Sequence, residues 1–146
     1  MLKQASLSEV REEKIPRNRS HIVITMRFYP RFLRKELRDE FACDLAPERT
    51  LLNDFNKSSK SLGDHNRAFA EVGYLRRFNL SDKALERLRG YAELSATKDV
   101  YFVCICALGE MCHREMLLLM AKKLFGAKIA PVFNDYDEFM SRLEHL

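Results

Sequence analysis

The run VYFVCICALGEMCHREMLLLMAKKLF, residues 100–125, sets the architecture of the chain. Its apolar opening, Val100 to Cys106, reads as a strand, and the residues after it read as a loop and then a helix stopped by Lys122, Lys123 and Gly126. This puts Cys106 at a strand's end and Cys112, His113 and Arg114 at a helix N-terminus, where unpaired backbone N–H groups favour anions. Met116 to Ala121 is apolar on every side, so that helix is expected to be deeply packed.

Nearer the start of the chain, His21 to Met26 is β-branched and nearly all apolar, as in a strand covered on both faces, and it runs into Arg27-Phe28-Tyr29-Pro30-Arg31. Pro30 cannot donate to a central ladder, so this strand should end near Tyr29. Residues 40–45 fit either a short strand or a helix end. Ala46-Pro47-Glu48 opens a helix with Leu51, Leu52 and Phe55 on one face, and Lys57 to Gly63 reads as an exposed loop. Asp64 caps a short helix carrying Phe69 and Val72; Ser81 opens an amphipathic one with Leu85, Leu88 and Ala92 inward. Lys128 to Phe133 is expected as a final strand and Asp135 to Leu146 as a final helix with Phe139 and Leu143 buried. Residues 1–20, mixed in charge and poor in large apolar groups, are expected to be a mobile or loosely docked arm before a single domain at 21–146. Strands alternating with helices predict an α/β fold, a parallel or mixed sheet flanked by helices, with ligands collecting beyond the strands' carboxyl ends.

A chain of 146 residues with 47% apolar content can bury one core without disulfides or metal. No stretch approaches the roughly 18 apolar residues of a membrane span, and no basic-then-apolar leader is seen, so a reduced, cytoplasmic protein with no membrane partner is expected. The formal charge of +4 is unevenly spread: Arg27, Arg31, Arg34, Lys35 and Arg38 stand against Glu36 alone. That clustering suits an anionic small molecule or a nucleic-acid backbone, while a merely solubilising surface is as common.

Cys112, beside an imidazole and a guanidinium at a helix start, is the first candidate nucleophile, with Cys106 as its partner and His113 as activating base; the plain alternative is a buried apolar thiol. Cys104 shares a face with Cys106 but reads as core, and Cys43 carries no signal. Arg114, Arg27 and Arg31 are candidate anion contacts and Tyr29 a hydrogen-bond donor or stacking surface, each weighed against an ordinary surface role. A phosphatase or rhodanese loop needs arginine six positions after its cysteine, where Cys106 has Cys112 instead. Zinc would need Cys104, Cys106, Cys112 and His113 together, which a strand does not readily turn inward, so neither a metal nor a cofactor is expected.

The strand followed by Arg27-Phe28-Tyr29-Pro30-Arg31, the Asp44-Leu45-Ala46-Pro47 segment, and Cys106-x5-Cys112-His113-Arg114 together resemble the domain-of-unknown-function 488 family over roughly residues 21–126. The resemblance implies a compact α/β domain whose paired cysteines and post-strand arginine suggest an enzyme, and it brings no reaction. Phe32 stands where the family often has glycine, so the turn aiming Arg31 is expected to differ, because phenylalanine resists positive φ. The reading that results is an enzyme of unassigned reaction with a Cys/Arg pocket for an anionic, nucleotide or nucleic-acid, ligand. The alternatives are a non-catalytic nucleic-acid-binding or interaction module using Arg27 to Arg38, and a thiol redox sensor closing a Cys106–Cys112 disulfide. The oligomeric state is left open.

Overall fold

In the computed structural model, which describes residues 1–144, four strands form one wholly parallel sheet. They are β1 (Leu2–Ser6), β2 (Ser20–Ile24), β3 (Glu40–Phe41) and β4 (Asp99–Cys104), in the order β1-β4-β2-β3. Among the described residues, seven α-helices accompany them: α1 (Leu7–Arg11), α2 (Arg49–Leu62), α3 (His65–Glu71), α4 (Tyr74–Arg77), α5 (Asp82–Leu94), α6 (His113–Phe125) and α7 (Asp137–Leu143). The α/β class, the single domain body and the parallel sheet thus follow the sequence reading. No helix of the described residues is long and apolar enough to cross a membrane.

Alternating side chains on β2 and β4 feed two cores. Val23, Val100 and Phe102 pack with α2 to α7, whereas Ile22, Ile24 and Val103 pack with α1 and the 26–41 segment. Both faces are covered, as a parallel sheet requires, and burying a side chain such as Phe102 contributes about 1.5–3 kcal/mol. The cap expectations hold: Asp64 accepts from Arg67 N at 3.0 Å and Ser81 Oγ from Ala84 N at 3.1 Å.

The N-terminal residues are not an arm. Residues 2–6 form an edge strand on β4, Ser6 and Glu9 complete a reciprocal capping box for α1, and Leu2, Ala5 and Val10 are buried. Few apolar residues suffice because Lys3 and Gln4 need not be covered at an edge. Nor is Lys57 to Gly63 a loop: α2 continues to Leu62, its polar residues lie on a solvated face, and Gly63 at φ 65 closes it with an N–H bond to Ser59 O at 2.9 Å. The expected strand at 128–133 shrinks to a single bridge, Leu2 to Ile129, made by Leu2 N–H to Lys128 O and Ala130 N–H to Leu2 O, each at 2.9 Å. β2 stops at Ile24 and β4 at Cys104, short of the expected Tyr29 and Cys106. The last helix spans Asp137–Leu143 with Phe139 and Leu143 buried; residues 145–146 of the expected helix lie outside the described ones.

Candidate functional site

Because β2 and β4 are parallel neighbours, with Ile24 opposite Val103, the segments leaving their carboxyl ends meet. Thr25 locks the junction, its N–H and Oγ1 both donating to Val103 O at 2.9 and 3.0 Å. Beyond the strand ends lies a cavity of about 280 Å³ with apolar and aromatic walls from Met26, Phe28, Phe55, Phe69, Tyr74 and Met111. Arg27, Asn56, His65, Cys104, Cys106, Cys112 and His113 complete its polar and thiol lining. A wider groove of about 870 Å³ opens at the amino ends of the strands, around Met1, Ser95 and Ala96, and has no cysteine or histidine in its lining. The reactive groups are in the smaller cavity.

The Sγ atoms of Cys104, Cys106 and Cys112 all lie within 4.8 Å of one another, with Cys104 and Cys106 3.9 Å apart. Cys112 stands at the N-cap position of α6, and its N–H donates to Tyr136 Oη at 3.1 Å. His113 is fixed at both ring nitrogens: Nε2 donates to Thr25 O at 2.7 Å, so Nδ1 faces Cys112 Sγ at 3.6 Å. Like charges this close disfavour three thiolates. Hydrogen bonds from Cys106 and then Cys112 hold the Cys104 thiol well below its ordinary pKa despite burial, whereas the bond to Cys104 raises Cys106 and burial raises Cys112. Burial opposes a charged His113, but its interactions with the sulfurs of Cys112 and Cys104 outweigh it and push its pKa up to about 10. These shifts favour negative charge on Cys104 over the other two sulfurs, beside an imidazole whose two ring nitrogens are both engaged.

Four of the seven expected site residues therefore share the cavity: Cys106, Cys112, His113 and Arg27. Arg27 is braced there, Nε and Nη2 donating to Pro47 O at 3.1 and 2.9 Å. Arg114 is not an anion clamp. It is fully buried, and its five hydrogen bonds go to Gln4 Oε1, the carbonyls of Ala5, Cys104 and Cys106, and Ala107 O. It fastens the strand ends beneath the cluster. Tyr29 is turned the other way, its hydroxyl donating to Leu33 O at 3.0 Å and its ring packed edge-on against Phe41. Arg31 is exposed and does not line the cavity. Phe32 nevertheless keeps a positive φ of 68° at 86% exposure, so the turn retains the glycine-like backbone in spite of its side chain.

Two groups escape the sequence reading. Cys104 reads as core there, yet as the last residue of β4 it faces the site, and its period-two relation to Cys106 is the available signal. His65 has none beyond its Asp64 cap; its Nε2 donates to Met111 O at 2.8 Å and holds the loop before Cys112. Glu115, buried behind Cys112, accepts from Gln4 Nε2, Phe133 N, Asn134 Nδ2 and Tyr136 Oη, and these bonds outweigh burial and keep its carboxyl below the usual range.

A family profile described as DUF488-N3a, the active DUF488-N3 subclade, matches residues 5–123. The chain belongs to the DUF488 family. The matched span runs from β1 through α6 and takes in every group of this DUF488 cavity. Searches of curated proteins and of solved structures gave no match.

Proposed function

We propose that this DUF488 protein is a thiol-dependent enzyme acting on an anionic ligand of nucleotide type. The observation that carries the reading is the convergence of three thiols and one imidazole on an aromatic-walled cavity at the carboxyl ends of neighbouring parallel strands. Aromatic and methionine walls suit a planar ring better than a bare phosphate, while Arg27 in the same lining supplies the cation for a phosphate carried by that ring. Cys104 is the nucleophile in this reading: its sulfur bonds to an electrophilic carbon of the ligand, and the departing group takes a proton from His113. Cys106 and Cys112 donate to the Cys104 sulfur and hold its charge. The subclade's description as active agrees with a working centre.

The test is alkylation of the reduced, metal-free protein by iodoacetamide at neutral pH, mapped by mass spectrometry, with and without mononucleotides. Cys104 should label faster than Cys43, which lies outside the cluster, a mononucleotide should protect it, and Arg27→Ala should abolish the protection. Equal labelling of all four cysteines with no protection refutes the reading.

A further inference from the structure

We infer that Cys104, Cys106, Cys112 and His113 form a binding site for a thiophilic divalent cation of the zinc class. A tetrahedral zinc ion with bonds of about 2.3 Å to sulfur and 2.0–2.1 Å to nitrogen sets its ligand atoms about 3.8 Å apart between sulfurs and about 3.6 Å between sulfur and nitrogen. Cys104 and Cys106 already stand 3.9 Å apart, Cys112 Sγ and His113 Nδ1 3.6 Å, and no pair of the three sulfurs exceeds 4.8 Å. The widest sulfur pair has to close by about 1 Å at most, a side-chain adjustment, while His113 stands at ligand spacing from Cys112 and has to move towards the other sulfurs to complete the tetrahedron. The strand does not itself turn four ligands inward. β4 supplies only Cys104, the loop brings Cys106 back over it, and the start of α6 delivers Cys112 and His113 from the side.

Two surrounding features fit a cation here. Metal-bound histidines usually donate their other ring N–H to a carbonyl or carboxylate, and His113 Nε2 does so to Thr25 O at 2.7 Å, leaving Nδ1 for the ion. Three thiolates around a divalent ion leave one net negative charge, and the buried Arg114 guanidinium, whose bonds all end on neutral oxygens, stands next to it through the carbonyls of Cys104 and Cys106. Protons lost on coordination from the thiols and from His113 Nδ1 pass to solvent through the cavity, by which the ion also enters, since Cys106 is only partly buried.

Binding stands independently of the enzymatic reading; only its consequence rests on that reading, namely that an ion on Cys104 removes the nucleophile and silences the enzyme. The experiment is titration of the reduced, metal-free full chain with Co²⁺ and then Zn²⁺. One equivalent of Co²⁺ should give the intense absorption of tetrahedral cobalt–thiolate, Zn²⁺ should bleach it, and bound Zn²⁺ should block alkylation of Cys104 but not of Cys43. Cys106→Ala, at the edge of the cluster, should fold normally and bind Co²⁺ at least about tenfold more weakly, while Cys43→Ser should change nothing. A weak octahedral cobalt spectrum, or tight binding undiminished in Cys106→Ala, overturns the metal site. Slow, unselective alkylation of the metal-free protein would instead count against the enzyme and leave the metal result standing.

Discussion

The carbonyl of Thr25 accepts a hydrogen bond from Nε2 of His113 at 2.7 Å, joining the end of β2 to the first turn of α6. This bond fixes the ring's orientation, and so decides which nitrogen meets the cysteines. His113→Gln places an amide N–H where Nε2 was and removes Nδ1, so the variant should fold while Cys104 labelling slows by about tenfold or more. His113→Asn spares the other end of the ring and loses the Thr25 bond, so it should be the less stable of the two by about 1 kcal/mol or more in urea unfolding. Equal behaviour of the two variants would remove the directional role given to the imidazole.

Arg114 is predicted to matter for stability rather than for ligand affinity. Arg114→Ala strands several buried carbonyls and should cost more than about 3 kcal/mol; Arg114→Lys keeps the charge but not the fork and should cost about 2 kcal/mol. Chemical denaturation of both variants checks this. An unchanged unfolding midpoint with lost nucleotide binding would restore the anion-clamp role.

Phe32 holds a left-handed backbone with its ring in solvent, so its replacement sacrifices no packing. Phe32→Gly should raise stability by about 1 kcal/mol, the strain relieved exceeding the flexibility added to the unfolded chain. A drop in melting temperature would show that the exposed ring has a partner.

Asp39 accepts two bonds from Arg17, at 2.9 and 3.1 Å, and one from Ile22 N at 2.7 Å. Burial raises its pKa, but these bonds outweigh it and set the carboxyl below its ordinary value. Its stabilising contribution is then complete above the unfolded value of about 3.9 and is lost as pH falls from there through the folded one. Asp39→Asn should therefore be less stable than the parent at pH 7, with the gap narrowing below about pH 4, as thermal melts across that range would record.

The sheet and the place of the site are legible in the sequence because their signals are local: β-branched runs, a Ser or Asp before a periodic helix, a glycine after lysines. Features that depend on distant partners are not. Arg114 looks like any first-turn arginine until Gln4, 110 positions away, and the folded-over carbonyls of residues 104–107 take up its donors. The strand at Leu2–Ser6 is too short and mixed to be recognised alone, since its pairing to β4 is what makes it a strand. The polar stretch from Lys57 suggests a loop because composition does not tell a solvated helix face from a turn. Cys104 passes for core when the strand boundary is misplaced by two residues, which is enough to move a thiol from packing to chemistry.

The position of β4 also constrains how the protein is made. Its two neighbours, β1 and β2, are both synthesised far earlier, and until Cys104 has left the ribosome only the short β2–β3 pairing is available to the sheet. The nascent chain thus carries two unsatisfied strands for most of its translation, a state that favours chaperone capture and slow, late acquisition of the native topology.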